Sequence, residues 1–88
     1  MKIKKRSGEL QDYSSEKIKY SIIRAADETN MPVTGGDIEF FVRTIEKRLK
    51  NKNLEVVSSE EIFDEVLIVL MRNKFYKVAE RYSEGANR

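Results

Sequence analysis

Cysteine and histidine are both absent from this sequence. Without thiols there is no disulfide framework and no thiolate zinc or iron–sulfur site. Without imidazole the usual metal ligand and near-neutral general base are gone as well. These two absences exclude most enzyme classes, so a non-catalytic protein suited to a reducing cytoplasm is expected. Only four Gly and one Pro punctuate 88 residues, which leaves few places for long loops and argues for an ordered, mainly helical chain. No apolar run approaches the roughly 20 residues needed to span a bilayer, and the N-terminus lacks the apolar segment of a secretory signal. No membrane partner is expected.

Eighty-eight residues, 40% of them apolar, suffice for one domain with a single modest core. A net charge of +2 is too small for bulk attraction to a polyanion, so position matters more than total. Residues 1 to 24 hold seven Lys or Arg (Lys2, Lys4, Lys5, Arg6, Lys17, Lys19, Arg24) against three acids (Glu9, Asp12, Glu16), a local excess of +4. The remaining 64 residues total −2.

The opening "MKIKKRSGELQDY" places Ser7-Gly8 between two short stretches and predicts a β-hairpin over about 2–12, because Gly supplies the positive φ of a tight turn. With only Ile3, Leu10 and Tyr13 as apolar material, such a hairpin must lie against helices. "SSEKIKYSIIRAADETN" predicts a first helix over 15–29, with Ser14 as N-cap, Glu16 in the first turn and an inward stripe of Ile18, Ile22, Ala25 and Ala26. Met31-Pro32 stops it. Thr34 and Asp37 read as a capping box for a second helix over 37–51, whose inward face is Ile38, Phe41, Val42, Ile45 and Leu49. Ser58 and Glu61 read as a second capping box for a helix over 59–72 with Ile62, Val66, Val69 and Leu70 inward. Because Phe63, Leu67, Ile68 and Met71 are apolar too, this helix is expected to be the most enclosed. A short last helix over 75–84 turns Phe75, Val78, Ala79 and Tyr82 inward, and Gly85 is expected to end it. The fold class is α+β, mainly α: an N-terminal hairpin packed on a four-helix bundle.

Strict alternation along the first strand puts Ile3 and Lys5 on one face and Lys2, Lys4 and Arg6 on the other, a rule that twist near the turn blurs. A hairpin docked on the first helix brings Lys5 or Arg6 beside Lys17. Two or three cations near the free N–H groups of a helix start make a phosphate cradle. Lys acts as a point charge and Arg as a two-pronged donor, which suits a polyphosphate. The competing reading is a solvated cationic edge that guards against sheet-to-sheet association. Neither G-x-x-x-x-G-K-[ST] nor G-x-G-x-x-G occurs, so the familiar phosphate loops are excluded.

The run "IKKRSGELQDYSSEKI", the later "VVSSEEIFDEVL" and the final "FYKVAERY" together resemble the ATP-cone family. The likeness covers residues 3 to 82 in three blocks in the family's order, and it outweighs the edge-strand reading. It implies a regulatory module that binds ATP or dATP as effector, with or without Mg2+, and changes how subunits associate. The partner implied is a ribonucleotide reductase subunit or a second copy of the chain. It further implies that Ile3 offers backbone contacts and an apolar wall to adenine, that Lys5 and Arg6 take the phosphates and that Lys17 adds a phosphate contact. The same resemblance implies that Ser14 lies against the nucleotide and that the Ser59 hydroxyl reaches it. Gln11 stands where some members have an acid and is suited to a ribose hydroxyl. Phe63 stands where some have His, either stacking on a base or belonging to the core. Tyr13 either covers the nucleotide or staples the hairpin to the first helix. Tyr20, Tyr76 and Tyr82 sit at helical spacing and are expected to pack with their hydroxyls at the surface.

The leading expectation is therefore a single ATP-cone-like domain over 1–88, a stand-alone nucleotide sensor and not an enzyme. Two alternatives remain open on the residues. One is a cone fold that has lost its ligand and serves as a protein-interaction domain. The other is nucleic-acid binding through the basic hairpin, for which no base-reading signature is present.

Overall fold

In the computed structural model, which describes residues 1–86, the chain first reverses at Gly8. Strand β1 (Lys2–Lys4) and strand β2 (Leu10–Asp12) pair antiparallel with Ile3 opposite Gln11. Between them the Gly8 N–H donates to the Lys5 carbonyl and the Lys5 N–H to the Glu9 carbonyl, both at 2.9 Å. Gly8 has φ of +90°, a conformation that side-chain-bearing residues rarely adopt, so the glycine fixes where the hairpin turns.

A third strand, β3 (Val56–Ser58), joins β1 in parallel with Ile3 opposite Val57, giving the order β2-β1-β3. The sequence reading anticipated only the hairpin. Three residues of strand carry too little periodicity to be recognised alone, and this one forms only because β1, from the far end of the chain, offers a free edge. Val57 is fully buried, and Ile3 packs on the core. The row Gln11–Ile3–Val57 thus faces the helices while Lys2, Lys4, Leu10, Asp12 and Val56 face outward.

Four helices follow the predicted sequence: α1 (Ser15–Thr29), α2 (Gly35–Lys50), α3 (Ser59–Arg72) and α4 (Tyr76–Ala86). The end of α1 is set by Asn30 in the left-handed region, its N–H capping Ala26 and Asp27 carbonyls. At the start of α2 the Thr34 hydroxyl accepts the Asp37 N–H at 3.0 Å and the Asp37 carboxylate accepts the Thr34 N–H at 3.1 Å. This complete capping box starts the helix at Gly35, two residues earlier than predicted. The box predicted for α3 is only half formed. The Ser58 hydroxyl accepts the Glu61 N–H at 3.1 Å, but the Glu61 carboxylate takes the Ser58 hydroxyl at 3.4 Å in place of its backbone N–H.

Gly85 does not terminate α4, which continues to Ala86. A terminating glycine needs a positive φ, and Gly8 is the only described glycine that has one. Gly within a helix costs about 1 kcal/mol relative to Ala but does not forbid it.

Helix α1 packs against α2 and α4, and α3 against α2 and α4, closing the bundle around Ile22, Phe41, Ile45, Leu49, Val66, Leu70 and Val78. Burying an aliphatic or aromatic side chain of this size contributes about 1.5–3 kcal/mol. Phe41 meets Phe75 edge to face at 5.1 Å, which joins α2 to the turn before α4. As expected, α3 is the most enclosed helix, with Ile62, Glu65, Val66, Val69 and Leu70 buried, although Met71 is 51% exposed and Phe63, Leu67 and Ile68 are half-buried. Helices on two sides and a strand at its start leave this helix with an outer face. Its one buried charge, Glu65, is paired with Arg48 of α2 and lies 3.6 Å from Lys52.

Candidate functional site

Because the turn begins at Lys5, strand alternation ends at Lys4, and the Lys5 and Arg6 side chains line the same cavity instead of opposite faces. The cavity has a volume of about 480 Å³ and is walled by Lys5, Arg6 and Ser7 of the turn, Ser59, Glu60 and Phe63 of the first turn of α3, and Tyr82 of α4. Its position follows from the sheet. Pairing β3 beside β1 carries the start of α3, which follows Ser58 directly, up against the hairpin turn.

The floor is aromatic. Phe63 and Tyr82 stack with ring centroids 5.6 Å apart and planes 20° from parallel. Burial pushes the Tyr82 hydroxyl above its ordinary pKa, with the neighbouring Ser21 hydroxyl working in the opposite direction. Tyr82 is half-buried and packs against the core, as its helical spacing predicts. Tyr20 and Tyr76, also predicted to pack, are 63% and 58% exposed, since their helix positions point away from every neighbouring element.

The rim is cationic. Lys5 and Arg6 are exposed, and Arg6 Nε lies 3.5 Å from Glu60 Oε1. The first N–H groups of α3 have no helical partner by position and place a partial positive charge at the same wall. Two cations, a helix start, a hydroxyl and an aromatic floor are donors for an anion joined to a flat apolar group.

The residues expected at the site fall in two places. Lys5, Arg6 and Ser59 come together on this cavity, accompanied by Phe63. Ile3 and Gln11 sit in the inward row of the sheet, and Gln11 Oε1 is 3.5 Å from Lys17 Nζ, so Lys17 meets the hairpin through β2 and not among the cavity's lining residues. Ser14 holds the N-cap position of α1 with extended backbone, but its side chain makes no capping hydrogen bond. Tyr13 packs against the core with its hydroxyl buried and without a hydrogen-bond partner. Burial and the nearby Glu46 carboxylate push that hydroxyl's pKa up to about 12. Ser7, Glu60 and Tyr82 are wall residues that the sequence reading did not assign to the site. The adjacency of Glu60 to Ser59 was the available signal for one of them, and the Tyr in "FYKVAERY" for another.

A second cavity of about 430 Å³ lies between α1 and α4, walled by Ser21, Arg24, Ala25, Glu28, Arg81, Tyr82 and Gly85. Its charge is comparable: Arg81 is paired with Glu28 and, at 3.1 Å, with Glu84, while Arg24 has no carboxylate partner among the described ion pairs. What it lacks is a helix start and the cations of the hairpin turn. Among the described residues no group of three or more His, Cys, Asp or Glu is placed to hold a metal ion, and no helix is long and apolar enough to cross a membrane.

The family model for the ATP cone domain matches residues 1–87. No curated protein matches the chain.

Proposed function

Since the chain belongs to the ATP-cone family, whose domains are nucleotide-binding regulatory modules, we propose that the cavity beneath the hairpin turn binds ATP or dATP. The observation that carries this reading is the convergence of Lys5, Arg6 and Ser59 on one cavity floored by Phe63 and Tyr82. A volume of about 480 Å³ lies within the ordinary range for a small-molecule site, roughly 300–1,000 Å³.

In this reading Arg6 offers its planar fork and Lys5 a point charge to the phosphates, and Ser59 donates its hydroxyl. Ile3, Gln11 and Ser14 do not line this cavity, so the roles that family membership suggests for them (an apolar wall, a ribose hydroxyl partner, a flank of the ligand) require the nucleotide to extend from the turn toward β2 and the start of α1. Lys17 reaches the phosphates by leaving Gln11. Glu60 is the one carboxylate among the lining residues, so Mg2+ arrives coordinated by the phosphates and not by a protein cage.

The regulatory step follows from where the site is built. Its walls come from the hairpin turn, α3 and α4, so a nucleotide that binds one arrangement of these three more tightly than another shifts their balance. The altered outer surface is what a protein partner reads, either a ribonucleotide reductase subunit or a second copy of the chain. This is a role in the cytoplasm, with no chemistry performed on the ligand.

Isothermal titration with ATP, dATP and GTP tests the reading. Saturable heat with the adenine nucleotides is expected, and absence of heat at millimolar ligand removes it. Sizing chromatography with and without the bound nucleotide then reports whether association changes.

A further inference from the structure

Arg6 and Glu60 form an ion pair on the cavity's own wall. Their side chains are 74% and 58% exposed, so the pair is held by geometry and not by burial, and little stabilisation is lost when it opens. A carboxylate is the wrong charge for a site that takes phosphate. It offsets one of two cations, and from the first turn of α3 it already occupies the favourable position at the positive end of the helix.

We propose, on the premise that the cavity takes a nucleoside triphosphate, that Glu60 is a specificity-determining residue. It competes with the phosphates for Arg6 and thereby shifts the site's preference away from the metal-free nucleotide and toward its magnesium complex. A phosphate that reaches Arg6 must displace the Glu60 carboxylate and then remain beside it. The resulting repulsion grows with the charge of the ligand. A metal-free triphosphate carries two more negative charges than its magnesium complex and is penalised accordingly. Lys5 is within the same wall but has no carboxylate partner among the described ion pairs, so it attracts the metal-free form more strongly than the magnesium complex, and Glu60 works against that bias. Glu60 sets a threshold: the site fills at higher nucleotide concentration than two unopposed cations would require, and the penalty falls most on the form that lacks its own counter-ion.

The experiment is titration of the full chain with ATP in excess Mg2+ and again in excess chelator, for the wild type, Glu60→Gln and Glu60→Asp, with thermal unfolding of each as a control for folding. The ratio of the wild type's affinity for the magnesium complex to its affinity for metal-free ATP is the reference against which the variants are compared. Glu60→Gln is expected to bind both forms more tightly, with the larger gain, roughly three- to tenfold, for metal-free ATP at low salt. Glu60→Asp keeps the charge and is expected to keep the wild-type ratio. Unchanged or weaker binding by Glu60→Gln overturns the proposal while leaving the nucleotide site intact, and so does an equal gain for both forms. A shift of that ratio in Glu60→Asp to the same degree as in Glu60→Gln overturns the charge argument. Absence of binding by all three proteins in both conditions removes the nucleotide site itself, a distinct result.

Discussion

Phe63 of α3 and Tyr82 of α4 stack nearly parallel, 5.6 Å between ring centroids, and together form the floor of the cavity whose rim is Lys5 and Arg6. Phe63 is half-buried, which leaves part of its ring available to a planar ligand.

Replacing Phe63 with Ala therefore removes both a stacking surface and a helix–helix contact. Stacking of a base on an aromatic ring contributes about 1–3 kcal/mol, so ATP affinity in Phe63→Ala is expected to fall at least about fivefold by titration. Phe63→Tyr keeps the ring and is expected to lose much less. Equal affinity in wild type and Phe63→Ala would show that the base lies elsewhere.

The two turn cations are expected to act together. Lys5→Ala/Arg6→Ala should abolish measurable heat with ATP while leaving the helical circular dichroism signal unchanged, because both side chains are exposed and support no core contact. Lys17→Ala is expected to weaken binding only several-fold, since Lys17 begins from a contact with Gln11 and not from the cavity wall. A Lys17 effect as large as that of the double change would mean that the phosphates lie nearer α1 than the turn.

Glu65 gives a stability prediction independent of any ligand. It is 6% exposed, with Arg48 as its direct partner and Lys52 at 3.6 Å. Breaking a buried pair from one side leaves an uncompensated charge. Arg48→Ala is expected to cost about 2–3 kcal/mol in urea unfolding, below the usual loss because Lys52 still faces the carboxylate. Adding Glu65→Leu to Arg48→Ala is expected to recover most of that loss.

Tyr13 gives a pH dependence. Its folded pKa is about 12 against an ordinary 10.0, so the folded state keeps the proton where the unfolded chain releases it. The contribution is fully present below about pH 10 and is lost as pH rises toward 12. Tyr13→Phe is expected to flatten this part of the stability–pH curve relative to wild type. Near pH 7 the same change is expected to be neutral or slightly stabilising, because the hydroxyl it removes is buried without a partner. Destabilisation at pH 7 would mean that the hydroxyl is hydrogen-bonded.

The sequence by itself determined what depends on near neighbours along the chain. The spacing of Ile18, Ile22, Ala25 and Ala26, the Thr34–Asp37 box and the Asn30 stop all act within a few residues, so helix positions were legible to within two residues at each end. The hairpin was legible for the same reason, through Gly8. Tertiary structure decided what depends on distant partners. Strand β3 exists because Val57 can lie beside Ile3, and no local pattern of three residues expresses that. The same pairing brings Ser59, Glu60 and Phe63 to Lys5 and Arg6, and α4 adds Tyr82 from the far end of the sequence. Composition and motif order pointed to a phosphate-binding turn. Which carboxylate opposes it and which rings floor it were set by how sheet and bundle meet, because attraction and stacking depend on distance in space, and only packing fixes that.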